Sequence, residues 1–202
     1  MTSGQQPGQE WTVDFWLDPS CPLSRNTARW MVDVAARRPV VVRWRVMSLS
    51  ILNADKDVDP EGDESGYLWI PARVAAAVQT EHGSAALGAF YDMLWTDADG
   101  SQREWIGDFD DALRRAGLPT TLAAAGDGTH YDDALLASHR DGIGQVQGEV
   151  GTPILALAGP GRPPRAIFGP VLADVPGPED ALRLWEATVL LTAVSQFREL
   201  KA

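Results

Sequence analysis

Between Thr12 and Val46 the spacing of apolar residues changes twice, and this restricts the fold of the 202-residue chain more than any other stretch. Thr12 to Leu17 is rich in strand-favouring residues and stops at Asp18-Pro19-Ser20, a cluster that breaks regular structure. From Pro22 onward, Leu23, Trp30, Met31 and Val34 share one helical face. That helix should end near Arg37-Arg38, because Pro39 disfavours helix at the residue before it. Val40 to Val46 then alternates, with Val42, Trp44 and Val46 on one side and Arg43 and Arg45 on the other. A strand, a helix and a strand of these lengths make a βαβ unit, with a right-handed crossover and parallel strands. The N-terminal part therefore predicts an α/β fold.

The pattern then changes. Asn53 to Gly66 is acidic and poor in large apolar residues, as a solvated loop would be. Pro71 opens a predicted helix that runs to His82, and Ser84 caps another carrying Leu87, Phe90, Tyr91 and Leu94. Asp108 caps a third that stops at Gly117, Thr120 to Ala125 forms a short fourth, and Thr129 caps a longer one with Leu135, Leu136, His139 and Ile143 on one face. After Gly151-Thr152-Pro153 the strand pattern returns in Ile154 to Ala158 and Ala166 to Phe168, joined by a Gly/Pro-rich turn as a hairpin. A last helix follows Pro178, with Leu182, Trp185, Val189 and Phe197 toward the core.

Composition narrows the function classes. A net charge of -11 would repel a phosphate backbone, and no basic stripe offsets it, so nucleic acid is not an expected partner. Met1 to Glu10 is polar and no apolar run reaches the roughly 20 residues that span a bilayer, so neither a signal peptide nor a membrane segment is expected. A single cysteine forms no intramolecular disulfide, which fits a reducing compartment, and the expected location is the cytoplasm. His82, His130 and His139 lack the spacing and the extra cysteines of a zinc site, so no metal is expected. Gly142-Ile143-Gly144 with Gly148 imitates a dinucleotide loop but ends a helix instead of following a strand, so no bound nicotinamide or flavin is expected. Asp108, Asp110 and Asp111 read as a charge cluster at a helix start.

That leaves Cys21. It stands where turn meets helix, directly before Pro22, a residue suited to the first helical position. Free backbone N–H groups and the positive end of the helix dipole favour a thiolate there, so the expectation is a lowered pKa and a reactive sulfur. The competing reading is a buried, inert cysteine that happens to precede a helix.

Asp18-Pro19-Ser20-Cys21-Pro22-Leu23-Ser24 resembles the Cys-Pro-x-Cys active site of DsbA-like thioredoxin-fold proteins, and Gly151-Thr152-Pro153 resembles that fold's cis-proline loop. Four segments together resemble, more narrowly, the mycothiol-dependent nitroreductase family: Phe15 to Pro19 with Cys21-Pro22, Met47-Ser48-Leu49 with Leu52-Asn53, Val150 to Pro153, and Phe168 to Leu172. The likeness runs from about Val13 to Lys201. It implies an α/β thioredoxin-like fold with a large all-helical insertion: residues 11–60 and 148–200 as the two parts of the thioredoxin fold and 61–147 as the inserted domain. It also implies a thiol-disulfide oxidoreductase that takes mycothiol or a similar small thiol as co-substrate, acts on a small organic molecule, holds no tightly bound cofactor and forms a homodimer in some members.

The chain departs from that family in two places. Ser24 replaces the second cysteine, which excludes an internal dithiol cycle and leaves a monothiol route through Cys21, with Ser24 as a hydrogen-bond donor to the sulfur. Leu23 stands where an aromatic residue is usual. The resemblance makes Cys21 and Ser24 the expected catalytic residues and Pro22, Leu23, Asn53, Tyr67, Thr152 and Pro153 the expected substrate-binding residues. Tyr67 and Trp69 would lie over the thiol or pack between helices; Asn53 would bond a ligand or cap the loop. A cis bond occurs at about 5% of X-Pro bonds, so the residues alone suggest trans at Thr152-Pro153, whereas the resemblance implies cis. A cis bond would turn the Thr152 backbone toward Cys21, where an extended thiol compound could pair with it. Two other functions fit the same residues. Kappa-type glutathione transferases and hydroxychromene carboxylate isomerases resemble this architecture, place a serine near the same helix start and activate a bound thiol without a protein dithiol. A thioredoxin-fold binding module without redox activity is the third.

Overall fold

The computed structural model describes residues 10–197. Strand β1 (Trp11–Leu17), helix α1 (Pro22–Ala35) and strand β2 (Val40–Val46) form the expected βαβ unit, with β1 and β2 parallel from Trp11 opposite Val40 to Leu17 opposite Val46. After the one-turn helix α2 (Leu49–Asn53) come α3 (Trp69–Leu94), α4 (Phe109–Arg115), a 3-10 helix (Thr120–Asp127) and α5 (Asp132–Ile143). The chain then returns through β3 (Ile154–Ala158) and β4 (Arg165–Phe168), an antiparallel hairpin, and ends in α6 (Pro178–Thr192). The sheet order is β2-β1-β3-β4, with β3 antiparallel to β1.

The central strand β1 is packed on both of its faces. Val13, Phe15 and Leu17 enter the main core, whereas Trp16 packs on the opposite face with Met47, Ile154 and Ala156. Burial on both sides is why Phe15, Trp16 and Leu17 follow one another without alternation, whereas the less buried first half alternates through Thr12 and Asp14. On the α1 side the core is continuous: it joins Phe15 and Val46 of the sheet to Trp30 and Met31 of α1, Val74 and Leu87 of α3, Leu113 of α4, Leu135 of α5 and Trp185 of α6. The segment between β2 and β3 thus shares its core with the sheet. Trp30 Nε1 donates to the Ala181 carbonyl at 2.9 Å and ties α1 to α6.

Local differences from the sequence expectations have physical causes. The two helices expected on either side of Gly83 are both present within the span of α3, which is interrupted where Gly83 takes a non-helical φ of +82°; the Ser84 hydroxyl is buried without a hydrogen-bond partner instead of capping the second half. Thr129 does not cap α5 through its side chain; its carbonyl accepts from Asp132 N at 3.1 Å and the helix starts after Tyr131. Asp108 caps α4 as expected, its Oδ1 accepting from Asp111 N at 2.9 Å. On α6 the buried face is Ala181, Trp185, Thr188 and Thr192, and Phe197 lies beyond the helix end. Gly142, part of the false dinucleotide pattern, has a packing reason: a Cβ there would come within 2.7 Å of Trp16, so glycine lets α5 rest on the sheet.

Candidate active site

Strand β1 delivers Asp18 to the edge of the core, and the turn Asp18-Pro19-Ser20 places Cys21 at the N-cap of α1. Cys21 N–H donates to the Asp18 carbonyl at 3.2 Å, which closes the turn, and Arg25 N–H donates to the Cys21 carbonyl at 3.1 Å, which opens the helix. The sulfur itself caps the first turn by accepting from Ser24 N–H at 3.4 Å. The side chain of Cys21 is thus a helix cap as well as a thiol.

The Ser24 side chain is fully buried, and its Oγ lies 2.9 Å from Thr152 Oγ1. Thr152 Oγ1 also accepts from Asp18 N–H at 3.1 Å. Since that lone pair is taken by an amide, the Thr152 hydrogen can go to Ser24 Oγ, which leaves the Ser24 hydrogen free to turn toward the neighbouring sulfur. The Thr152–Pro153 peptide is cis, as is Gly169–Pro170.

The four segments that carry the family resemblance meet here. Asp18 is inaccessible to solvent; its Oδ1 accepts from Ser20 N–H and its Oδ2 from Leu49 N–H, both at 2.7 Å, so it joins the cysteine turn to the Met47-Ser48-Leu49 segment. His139 Nδ1 accepts from Ser48 N–H at 3.3 Å and holds the same segment from the helical side. Phe168 to Leu172 is fastened to α1 by Thr27 Oγ1 donating to the Pro170 carbonyl at 2.8 Å and by Asn26 Nδ2 donating to the Leu172 carbonyl at 3.1 Å. Gly169 N–H, in turn, donates to the Pro153 carbonyl at 2.8 Å.

The electrostatics correct one expectation. Burial pushes the Cys21 thiol above its ordinary value, outweighing the Ser24 hydroxyl and amide that pull it down, and the neighbouring Asp18 adds to the upward push. The lowered pKa expected from the helix start does not hold, because Cys21 is 8% exposed and that burial outweighs the Ser24 and Leu23 amides that favour the thiolate. Burial also raises Asp18 to about 7, against the opposing effect of the Leu49 and Ser20 amides. Tyr91 is pushed well up, again by burial first and then by Cys21 and Asp18. Burial moves His139 the other way and keeps its ring neutral, as an acceptor for Ser48 must be.

The other expected site residues divide. Pro22 and Leu23 face solvent at the helix start, with Leu23 42% exposed beside the sulfur-bearing turn. Thr152 and Pro153 are buried against that turn. Asn53 is buried and its Nδ2 donates to Asp59 Oδ1 at 3.1 Å, a bond that ties α2 to the acidic loop. Tyr67 is exposed, and its N–H is bound by Asp63 Oδ1 at 2.7 Å in the turn before α3; Trp69 packs under the Arg73 guanidinium, 5.0 Å from the ring centroid. The aromatic side chains that do approach the cysteine turn come from the far end of α3: Trp95, whose Nε1 donates to the Pro19 carbonyl at 3.1 Å, and the buried Tyr91. Sequence reasoning missed Asp18 as a buried acid, Tyr91, Trp95 and His139. Of these only Asp18 had a local signal, a carboxylate two residues before a backbone amide it can cap.

Among the described residues no group of three potential metal ligands gathers, and no helix is long and apolar enough to cross a membrane.

The comparisons with known proteins agree with this geometry. Residues 20–202 match the model of the family described as Rv2466c-like, mycothiol-dependent nitroreductase Rv2466c. An uncharacterized protein of Mycobacterium tuberculosis, Rv2286c, is 32% identical over 201 residues, covering 94% of this chain and 81% of that protein. Among solved structures, a 2-hydroxychromene-2-carboxylate isomerase superposes with a TM-score of 0.54 at 13% identity, covering 89% of this chain and 95% of the other. DsbA2 of Pseudomonas aeruginosa superposes with a TM-score of 0.50 at 18% identity, covering 92% and 93%. At these identities the two structures establish the DsbA-like thioredoxin fold and nothing finer.

Proposed function

Because the chain belongs to the Rv2466c-like family of mycothiol-dependent nitroreductases, we propose that it is a thiol-dependent oxidoreductase working through Cys21 alone with mycothiol or a similar small thiol. The observation that supports this reading is that the one thiol of the sequence accepts from Ser24 N–H while the Ser24 hydroxyl beside it is fixed by Thr152, itself held by Asp18 N–H. In the proposed cycle the Cys21 thiolate attacks one sulfur of a disulfide. The S–S bond breaks, a Cys21 mixed disulfide forms, and the departing sulfur leaves as a thiolate that takes a proton. A second small-thiol thiolate then attacks the mixed disulfide at its outer sulfur, forming a new disulfide and returning Cys21 as thiolate, to be reprotonated. Ser24 cannot perform that second attack, but its hydroxyl supports the anionic sulfur at both ends of the cycle. Leu23, exposed beside the turn, supplies apolar contact for the incoming molecule, and the Thr152–Pro153 backbone lies alongside. The cytoplasm, where small thiols are kept reduced, is the compartment this chemistry requires.

The test is intact-protein mass after incubation with oxidised mycothiol at mildly alkaline pH, where part of a raised-pKa thiol is ionised. The expected product carries one mycothiol per chain, is absent from Cys21→Ser, and is removed by reduced mycothiol. Failure to form the adduct would overturn the reading. One observation favours a second reading: the Cys21 thiol is buried and its pKa raised, whereas Ser24 is hydrogen-bonded in the first turn of α1. An enzyme that activates a bound small thiol through Ser24, as kappa-type transferases and hydroxychromene carboxylate isomerases use a serine near that helix start, would keep its activity in Cys21→Ser and lose it in Ser24→Ala. The oxidoreductase reading expects the reverse order of severity.

A further inference from the structure

Next to the cysteine turn, between α1 and the far end of α3, a cleft of about 510 Å³ opens. Two of the side chains that line it, Arg25 and Tyr91, carry polar atoms that the fold buries without a hydrogen-bond partner, Nε and Oη. The Arg25 guanidinium is otherwise held in place: Nη2 donates to Gln102 Oε1 at 2.8 Å, and its carbon lies 5.3 Å from the centroid of the Trp95 ring. Arg29, one turn later on the same face of α1, also lines the cleft, and neither it nor Arg25 makes an ion pair among the described residues.

In a chain of net charge -11, two adjacent arginines without a carboxylate partner are unexpected. Acids are close at hand. Asp33 and Asp97 line the same cleft but are paired with Arg37 and Arg103, and the third arginine of the cleft, Arg115, is occupied by Asp111 and by the Met93 and Thr96 carbonyls. Asp92 stands at the rim, and Asp174 attracts Arg25 without pairing with it. Trp44, Trp95 and Tyr91 give the walls an aromatic character.

We infer that this cleft is a binding site for a flat aromatic monocarboxylate, separate from the sulfur chemistry at Cys21. Arg25 and Arg29 meet the carboxylate through their guanidinium groups, and the aromatic lining, Trp44 foremost, takes the ring. The volume lies within the range of small-molecule pockets. The nearby acids limit the ligand to one negative charge, since a dianion would face Asp92 and Asp174 as well as the guanidinium groups.

Isothermal titration of the full chain with 2-naphthoate and with its neutral isostere 2-naphthamide tests the inference. The expected result is that naphthoate binds about tenfold or more tightly than the amide, since a charge-assisted hydrogen bond is lost with the charge. Arg29→Gln is expected to remove the preference and Arg29→Lys to keep part of it, and both substitutions lie on a half-exposed position that the core does not need. Equal binding of acid and amide, no binding of either, or an unchanged preference in Arg29→Gln overturns it. Cys21→Ser should bind naphthoate as the wild type does, so the inference stands or falls independently of the mixed-disulfide experiment.

Discussion

Ser24 and Thr152, 128 positions apart in the chain, hold their hydroxyl oxygens 2.9 Å from each other in the buried interior. That contact fastens the first turn of α1 to the proline loop before β3. Thr152→Val keeps the shape but strands both the Asp18 N–H and the Ser24 hydroxyl. A buried donor left unpaired costs about 1–3 kcal/mol, which for a chain of this size lowers the melting temperature by roughly 2–4 °C per kcal/mol. Thr152→Ser retains the hydroxyl and should recover most of the loss. Equal melting of the two variants would mean that the hydroxyl is not what holds the loop.

Titration of Cys21 by the ultraviolet absorbance of its thiolate, with Cys21→Ser as the blank, should give a midpoint above that of an ordinary thiol, about 8.5. Burial is the main cause, and Ser24 opposes it through its hydroxyl, so Ser24→Ala is expected to move the midpoint further up. Alkylation at neutral pH should accordingly be slower than for a free thiol and should accelerate with rising pH. A midpoint below the free-thiol value would refute this account of the site.

Asp18 gives a pH dependence of defined sign. Its carboxyl is raised from 3.8 to about 7 by burial, so between those values the unfolded chain releases a proton that the folded chain keeps. Stability therefore falls as pH rises through that window and is level above it, a change on the order of 4 kcal/mol at full extent. His139, whose pKa is lowered, works oppositely, costing stability as pH falls below 6.5. The two are separated by comparing wild type with Asp18→Asn across pH: the advantage of wild type should be greatest near pH 4 and shrink toward neutrality. Denaturant melts with a constant difference at every pH would rule out the raised carboxyl.

Much of the fold was legible because its signals are local. A strand broken at Asp18-Pro19-Ser20, a helix opened by Pro22 and a hairpin around a Gly/Pro turn each depend on residues a few positions apart. The helix boundaries inside the insertion were less legible. The break at Gly83 was readable, since glycine takes the positive φ found there, but the starts of the helices were not: Ser84 and Thr129 do not cap through their side chains. In the site, the positions of Cys21, Ser24, Thr152 and Pro153 were readable from motif order, but the roles of Tyr67 and Asn53 depended on which loop folds over which helix. Tyr91, Trp95 and His139 look like ordinary core positions in sequence, and only their long-range partners distinguish them.

The sequence alone determined that Cys21 is the single thiol, that it caps a helix, and that no second cysteine can resolve a disulfide formed on it. These are statements of covalent identity and local geometry, and no packing changes them. The tertiary structure decided the acidity of that thiol. Desolvation depends on everything packed around the sulfur, and here it outweighs the helix start that favours the anion. Distant segments set the balance between those two effects, so it was not present in the local sequence.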